Sequence, residues 1–273
     1  MLVISDALAL SPAYAPSANN PIIGWRNLVT VQGVSADSED AGYPAVNLAN
    51  PSTSVKQQWR STSTATQYVT FTLATERPVD YVGLARHNFG SGQIEITAQY
   101  PDPDNPGQWL DLAGPFAPGT DEAIILRGVP VYVDTLRLKL VPSDVPPWLA
   151  VAYVGELLVL PRRIYVGHTP LHMGGQAEIV TGMSESGEFL GRTLIRDERS
   201  TGFTMSNVNP AWLRANMLSF FDAAKTKPFF FAWRPQDYPL ESGFAWLTNS
   251  PRPVNQRSNG MMSVEFQLGG LAL

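Results

Sequence analysis

Residues 68–73 read Tyr-Val-Thr-Phe-Thr-Leu, and this segment gives the clearest indication of the fold class. Val69, Phe71 and Leu73 alternate with polar residues and therefore share one face of an extended strand. Residues 136–140, Leu-Arg-Leu-Lys-Leu, repeat the pattern. Because such strands bury one face only, the sequence predicts a mostly β protein made of antiparallel sheets.

The domain organisation follows from the spacing of such runs. Between residues 22 and 160, short β-type runs are separated by turn-rich loops such as 101–108, Pro-Asp-Pro-Asp-Asn-Pro-Gly-Gln, and this spacing predicts an N-terminal β-sandwich. After Leu160 the chain becomes rich in Gly and Ser. We therefore predict two domains, 1–161 and 162–273, which suits a length of 273 residues, with one large β domain as the alternative.

The second domain is predicted to be β-rich with one α-helix near 210–225. Asn209 suits the N-cap and Pro210 the first helical position. Apolar residues then recur at helical spacing: Leu213, Met217, Phe220, Phe221 and Ala224. One face of this helix is therefore expected to be buried.

Composition excludes several classes of function. The chain has no cysteine, so disulfides and thiolate metal sites are excluded. A net charge of -5 argues against nucleic acid as a partner, and no apolar run approaches the roughly 18 residues that membrane insertion requires. Charged residues make up only 16%, below the usual level of about 25%, which favours a surface covered by partners.

Near the N-terminus, residues 13–15 read Ala-Tyr-Ala, a small-x-small triplet of the kind found at signal-peptide cleavage sites. The segment before it has no Lys or Arg, and Asp6 interrupts its apolar run. We therefore interpret it as part of the mature chain.

The histidines do not suggest a metal site. The chain has three, His87, His168 and His172. The last two have the i, i+4 spacing of a helical metal pair, but Pro170 lies between them and glycines surround them. We predict a loop there, and neither a metal nor a cofactor.

No catalytic set emerges from the remaining residues. Ser184 lacks the first glycine of a nucleophile elbow, and Glu185 and Glu188 lie in a Ser/Gly-rich stretch that favours a solvated loop. Asp102, Asp104 and Asn105 suit a turn better than a calcium loop. We predict that the protein is not an enzyme, and a glycosidase or esterase is the least favoured function.

The aromatic block Phe229, Phe230, Phe231 and Trp233 is the strongest candidate for an interface. Adjacent residues of a strand face opposite ways, so the block needs cover on both sides. We predict that its own domain covers one side and another subunit the other. The alternative is that the helix starting at Ala211 covers the second side.

The first domain resembles a known fold over residues 40–160. The resemblance rests on 43–48 (Tyr-Pro-Ala-Val-Asn-Leu), 58–61 (Gln-Trp-Arg-Ser), 69–73 and 79–88 (Val-Asp-Tyr-Val-Gly-Leu-Ala-Arg-His-Asn). In order and spacing they resemble the galactose-binding, discoidin-like jelly roll found in bacteriophage tail proteins.

The resemblance suggests a glycan site, in which Trp59 offers a flat apolar face and Arg86, His87 and Asn88 offer hydrogen bonds. The alternative, which we favour, is that Trp59 closes the sandwich core.

The second domain is similar to the C-terminal part of tail-tip proteins of long-tailed phages. The similarity rests on 186–192, the helix at 209–221, 228–233 and 260–266. The domain order is the reverse of that usual in distal tail proteins, which leaves a ring, a decorating minor tail protein and a hub component open.

The resemblances lead to one principal functional hypothesis. It is a structural protein of the virion tail, assembled in the host cytoplasm and forming or decorating the ring that joins tail tube to tip. The expected partners are copies of itself, with a hexameric ring favoured, and the tail tube, hub and tape-measure proteins. The second hypothesis is a carbohydrate-binding module that contacts host glycans.

Overall fold

The computed structural model describes residues 1–11, 18–164, 167–256 and 260–271, so the triplet Ala13 to Ala15 lies outside it. The described residues form three α-helices: α1 (Asp6–Ala9), α2 (Pro210–Asn216) and α3 (Leu218–Ala223). They also form sixteen strands: β1 (Leu2–Ile4), β2 (Ile22–Gly24), β3 (Val34–Ala36), β4 (Trp59–Arg60), β5 (Gln67–His87), β6 (Glu95–Pro101), β7 (Trp109–Phe116), β8 (Ile124–Val141), β9 (Trp148–Gly155), β10 (Leu158–Val159), β11 (Gly175–Met183), β12 (Phe189–Val208), β13 (Phe229–Ala232), β14 (Ser242–Leu247), β15 (Val254–Asn255) and β16 (Met262–Gly270). The predicted mostly β class is confirmed.

The first sheet is built around two long antiparallel strands, β5 and β8, in the order β4-β9-β5-β8-β6-β7. The register of β5 against β8 shifts between Thr72 and Arg77, which divides the sheet into two parts. The outer part adds β3, β6 and β7 to this pair. The inner part adds β1, β4 and β9.

Apolar side chains of both parts meet in one core. Val69 and Phe71 of the outer part and Val82 and Leu84 of the inner part all belong to it and are fully buried. The sheet therefore folds over on itself as a sandwich, with the alternating residues of the sequence pattern pointing inward.

The second sheet has the order β10-β2-β13-β14-β16-β12-β11, with β15 paired to β16. Two of its strands, β2 and β10, come from the N-terminal side of the predicted boundary after residue 161. The domain boundary between residues 161 and 162 stays a prediction, but the second sheet contains strands from both sides of it. Short strands that pair across more than a hundred residues leave no periodic signal in the sequence.

The predicted helix at 210–225 is present as two short helices, α2 and α3, separated at Met217. The Asn209 side chain accepts hydrogen bonds from the backbone nitrogens of Ala211 and Trp212, at 2.8 and 3.2 Å, so the predicted N-cap is confirmed. The side chain of Asn216 donates to the carbonyl of Trp212 at 2.8 Å, and this competes with the helical hydrogen bond at the break. The helical stretch is thus interrupted by a turn at Met217, whose backbone stays in the right-handed helical region, and it ends at Ala223.

A seam of apolar side chains joins the two sheets. The inner part of the first sheet contributes Tyr81 and Tyr153, and the second sheet contributes Phe230 and Phe244. A Cβ atom on Gly83 would lie 2.5 Å from Cδ2 of Phe230. Only a residue without a side chain lets β5 and β13 approach this closely.

The helices of the described part of the chain are short. None of them has the length and apolarity that crossing a membrane requires.

Candidate functional surfaces

Trp59 lies in the core of the sandwich. Its side chain is 0% exposed, and its indole Nε1 donates to the carbonyl of Ser38 at 3.0 Å. A buried indole offers no face for a sugar to stack on. The structure thus places Trp59 where the favoured alternative put it, and the glycan role suggested for it was wrong.

His87 and Asn88 are also buried, and both are occupied by backbone hydrogen bonds. His87 Nδ1 accepts from Phe89 N at 3.2 Å, and Nε2 lies 3.0 Å from the carbonyl oxygen of Glu122. The neutral ring with its proton on Nε2 satisfies both contacts. Burial lowers the pKa of His87 to about 4, so the ring stays neutral at pH 7.

Asn88 ties two loops together. Its Nδ2 donates to the carbonyl of Pro146 at 3.0 Å, and its Oδ1 accepts from Trp148 N at 2.8 Å. Arg86, half-buried, has a left-handed backbone with φ of 56°. The hydrogen bonds of His87 and Asn88 fix the loop that follows β5.

The aromatic block is covered on both faces within one chain. Phe229 and Phe231 pack in the cluster that contains α2 and α3, with Phe229 edge-on to Phe220 at 5.1 Å between ring centroids. Phe230 faces the other way, into the seam with the first sheet. The predicted interface with another subunit was therefore wrong for these three residues, because the first sheet supplies the second cover.

Trp233 is half-buried at the end of the block. Its ring stacks on Tyr238, with centroids 5.4 Å apart, and its indole nitrogen donates to the carboxylate of Glu241. This residue is held by neighbours of its own chain as well.

The two C-terminal histidines, His168 and His172, lie on either side of Pro170. His168 precedes the short 3-10 helix Leu171–Met173, which carries His172. His168 Nδ1 lies 3.1 Å from the hydroxyl of Thr201, and burial lowers its pKa. In the part of the chain that the structure describes, no group of three or more metal-binding side chains comes together.

The acidic candidates lie in turns. Asp102 accepts from Asp104 N at 2.9 Å and from the amide of Asn105 at 2.8 Å, which lowers the pKa of its carboxyl. Glu185 and Glu188 are exposed in the turn between β11 and β12, where Glu188 N donates to the hydroxyl of Ser184 at 2.9 Å. These contacts are typical of turns.

The sequence interpretation missed an exposed hairpin, which we call the arm: Gly175–Met183 of β11 with residues 189–199 of β12. Every residue of β11 is exposed. The side chains of Phe189 and Leu190 are 64% and 68% exposed. Paired apolar residues on either side of a Ser-Glu-Ser-Gly turn are the signal that predicts it.

Apolar side chains occupy both faces of the arm. Ile179 pairs with Leu194, and Met183 pairs with Phe189, which places them on one face. Leu190 lies on the other face, where its Cβ would be 3.6 Å from a Cβ on Gly182. β11 is also the end strand of the second sheet, so one of its backbone edges has no neighbouring strand among the described residues.

A second surface, which we call the polar face, is the outward side of the outer part of the first sheet. Its members alternate with the core residues of the same strands and are Tyr68, Thr70, Gln99, Trp109, Asp111, Arg137 and Lys139. The Arg137 guanidinium lies 4.2 Å from the ring centroid of Tyr68 and 3.9 Å from that of Trp109.

Comparison with protein families and with curated proteins finds no match to this chain. Solved structures similar to part of it include chitosan-binding module 1 of a chitosanase/glucanase from Paenibacillus sp. IK-5, which is 18% identical, with 48% of this chain and 99% of that chain covered and a TM-score of 0.38. A pectin-binding carbohydrate-binding module is 18% identical, with 48% and 94% covered and a TM-score of 0.38. A Clostridium perfringens module in complex with GalNAc-β-1,3-galactose is 10% identical, with 45% and 94% covered and a TM-score of 0.38.

Proposed function

We propose that this chain is a non-catalytic structural protein of a bacteriophage tail tip, which assembles with copies of itself through the arm. One observation carries the proposal. Of the twenty large apolar side chains that are exposed in the described part of the chain, seven lie within residues 179–195. Exposed apolar residues scattered singly are ordinary, whereas a concentration of this kind marks an interaction site.

Burying the apolar side chains of the arm against a partner lowers the free energy. A two-stranded ribbon is only marginally stable in water, and the arm leaves apolar residues on both faces in contact with solvent. Fully burying one Leu, Ile or Phe side chain contributes about 1.5–3 kcal/mol. The seven apolar residues of the arm are 39–68% exposed, so burying them contributes about 5–10 kcal/mol, which is comparable with the roughly 4–15 kcal/mol that association costs in lost freedom of motion.

The binding partner that we propose for the arm is a second copy of the chain. Its root, residues 199–205 of β12, is tied to β16, so the arm projects from a fixed base. Beside this root lies a groove of about 580 Å³ with walls that include Gly167, Gly174 and Gly202. Besides these glycines, the groove is lined by polar residues such as Gln176, Thr204 and Gln267. An arm lying in the groove of the next copy is a heterologous contact, and such contacts close into rings when the rotation permits.

A place in the phage tail is supported by the sequence resemblances of both domains to tail proteins. A protein that works through a large contact area needs no pocket, which suits a chain whose carboxylate candidates lie in turns. Ring formation by six copies, with tail tube, hub and tape-measure proteins as neighbours, is the arrangement that we propose.

Point variants of the arm test this function. We expect the wild-type chain to elute as an oligomer in size-exclusion chromatography with light scattering, and the double variant Leu190→Ser, Leu194→Ser to elute as a folded monomer. The matched control is Tyr132→Ser, Val145→Ser, which removes two exposed apolar side chains outside the arm. A wild-type protein that stays monomeric up to the highest soluble concentration, or an arm variant that still assembles, contradicts the proposal.

A further inference from the structure

The turn at the end of the arm, residues 184–188, carries two exposed carboxylates, Glu185 and Glu188, and we call this turn the tip. Hydrogen bonds hold it in one shape. The hydroxyl of Ser184 accepts from Glu188 N at 2.9 Å, and the carbonyl of Ser184 accepts from Gly187 N at 2.9 Å. Within the described ranges, neither carboxylate has an ion-pair partner. A tip that is ordered before binding loses little entropy when a partner binds it.

A cleft of about 680 Å³ near the opposite end of β12 carries the opposite charge, and we call it the arginine cleft. Two adjacent exposed arginines, Arg162 and Arg163, line it together with Asn20 and residues 204–207 of β12. None of the described residues that line it is acidic. In the part of the chain that the structure describes, neither arginine has an ion-pair partner. Two exposed cations without a carboxylate beside them attract an acidic partner.

The arginine cleft continues into the groove at the root of the arm. Thr204 lines both of them, and Ser200 and Gly202 extend the lining of the groove along β12. From residue 200 to residue 207 the strand covers roughly 23 Å at about 3.3 Å per residue. The 9 residues of β11 cover roughly 30 Å at the same rise. An arm that lies in the groove of a second copy is therefore long enough to place its tip at the arginine cleft.

The order of charges along the arm matches the order along this track. From the tip towards the root, the arm carries its two glutamates and then Arg192. From the arginine cleft towards the root of the arm, the track carries its two arginines and then Glu265. Opposite charges therefore face each other at both places when an arm enters the track with its tip at the cleft, and like charges do so in the reverse direction.

The tip and the arginine cleft of one chain lie at opposite ends of β12. This strand begins beside the tip at Phe189 and ends beside the cleft at Val208, and its 20 residues extend over roughly 60 Å at about 3.3 Å per residue. An ion pair between them within one chain is too distant to form. Two copies can join them head to tail, and such a heterologous contact closes into a ring when the rotation permits.

The geometry points to the arginine cleft as the receptor for the arm of a neighbouring copy, with Arg162 and Arg163 paired to Glu185 and Glu188. This inference rests on the proposed assembly through the arm and names the site that receives the tip. Exposed ion pairs add little affinity, whereas like charges placed together repel each other. The apolar residues of the arm therefore supply most of the affinity, and the charges determine where the tip binds and in which direction the arm lies.

Charge reversal tests the pairing on the full-length chain. The cleft variant is Arg162→Glu, Arg163→Glu, and the tip variant is Glu185→Arg, Glu188→Arg. Size-exclusion chromatography with light scattering measures the protein concentration at which half of the chains are assembled. At an ionic strength of about 0.1 M, where charges act over roughly 10 Å, each variant alone should raise this concentration by about tenfold, because like charges then face each other across the contact.

The matched control is Glu76→Arg, Asp144→Arg. Both residues are exposed and lie outside the arm and the arginine cleft, and the control changes the net charge of the chain by the same amount as the tip variant. It should assemble as wild type does. A control that loses assembly to the same extent as the tip variant would overturn the inference, because net charge alone would then explain the loss.

Mixing the cleft variant with the tip variant separates loss of pairing from loss of folding. In an equimolar mixture, unchanged tips meet unchanged clefts and reversed tips meet reversed clefts. The two chains should therefore alternate in one oligomer of equal stoichiometry, which native mass spectrometry resolves by mass. A chain that carries all four substitutions should likewise assemble as wild type does. Misfolded variants would not regain assembly in either experiment.

A cleft or tip variant that assembles as wild type does, or a mixture that contains only monomers, overturns the inference. A wild-type oligomer that dissociates in the variant Leu190→Ser, Leu194→Ser but persists in both charge variants leaves assembly through the arm standing and excludes the arginine cleft as its receptor. A wild-type chain that is monomeric at every concentration overturns both proposals.

Discussion

The ring of Phe230 lies edge-on to that of Tyr153, with centroids 5.4 Å apart and planes at 73°. One ring belongs to the second sheet and the other to the first, so this contact joins the two sheets within one chain. The strand β13 is covered by the helices on one side and by the first sheet on the other. Both faces of the aromatic block are therefore covered by residues of the same chain.

Replacing Phe230 by Ala should therefore destabilise the monomer without altering its assembly. Loss of a fully buried phenylalanine costs about 3–5 kcal/mol. Guanidinium unfolding at fixed protein concentration measures this loss, and light scattering measures the oligomeric state. A Phe230→Ala protein that has unchanged stability but no longer assembles would instead place Phe230 at an interface between subunits.

Gly83 should be coupled energetically to Phe230. A new Cβ at Gly83 meets the ring at 2.5 Å, so Gly83→Ala should cost about 1–3 kcal/mol by overpacking. In a Phe230→Ala background the added methyl has room, and the cost should fall. A double-mutant cycle checks this, with an interaction energy of about 0.5–3 kcal/mol expected; additive costs would contradict the close packing of the seam.

The fold class and the helix N-cap could be predicted from the sequence, because period-two alternation and an Asn-Pro start are local signals. The sequence did not predict which sheet packs on the strand that contains Phe229 to Phe231, because that packing depends on pairing between distant segments. The insertion of Ile22–Gly24 into the second sheet was hidden for the same reason.

The two candidate surfaces were missed for different reasons. The arm was interpreted as a Gly/Ser-rich loop, although Ile179-Val180 and Leu194-Ile195 flank its turn. The polar face joins Tyr68, Trp109 and Arg137 from three strands, and single strands show only that these residues point outward. Without the order of the strands in the sheet, the sequence does not show that these three residues are neighbours.

Trp59→Ala should unfold or strongly destabilise the first domain, by about 3–5 kcal/mol, because the indole is wholly buried. Trp59→Phe keeps most of the volume but loses the hydrogen bond to Ser38, and should cost less. Thermal unfolding followed by circular dichroism compares the two variants. A stable Trp59→Ala protein that has lost affinity for a glycan would contradict the core assignment.

His87 should make stability depend on acid. Its pKa in the folded protein is about 4 because of burial, below the ordinary 6.5, so the unfolded chain takes up the proton first as the pH falls. Stability should decline from about pH 6.5 towards pH 4, by at most about 3 kcal/mol from this group. Urea unfolding of wild type and His87→Gln across this range isolates the effect, since carboxylates titrate in both. Parallel pH profiles would show that the ring is not buried neutral.

Assembly into a ring is tested by native mass spectrometry of the unmodified chain, recorded at increasing protein concentration. We expect one discrete closed oligomer, with six copies favoured, which disappears in the variant Leu190→Ser, Leu194→Ser. A wild-type spectrum that contains only monomer at every concentration, or a ring that persists unchanged in the arm variant, would contradict this expectation.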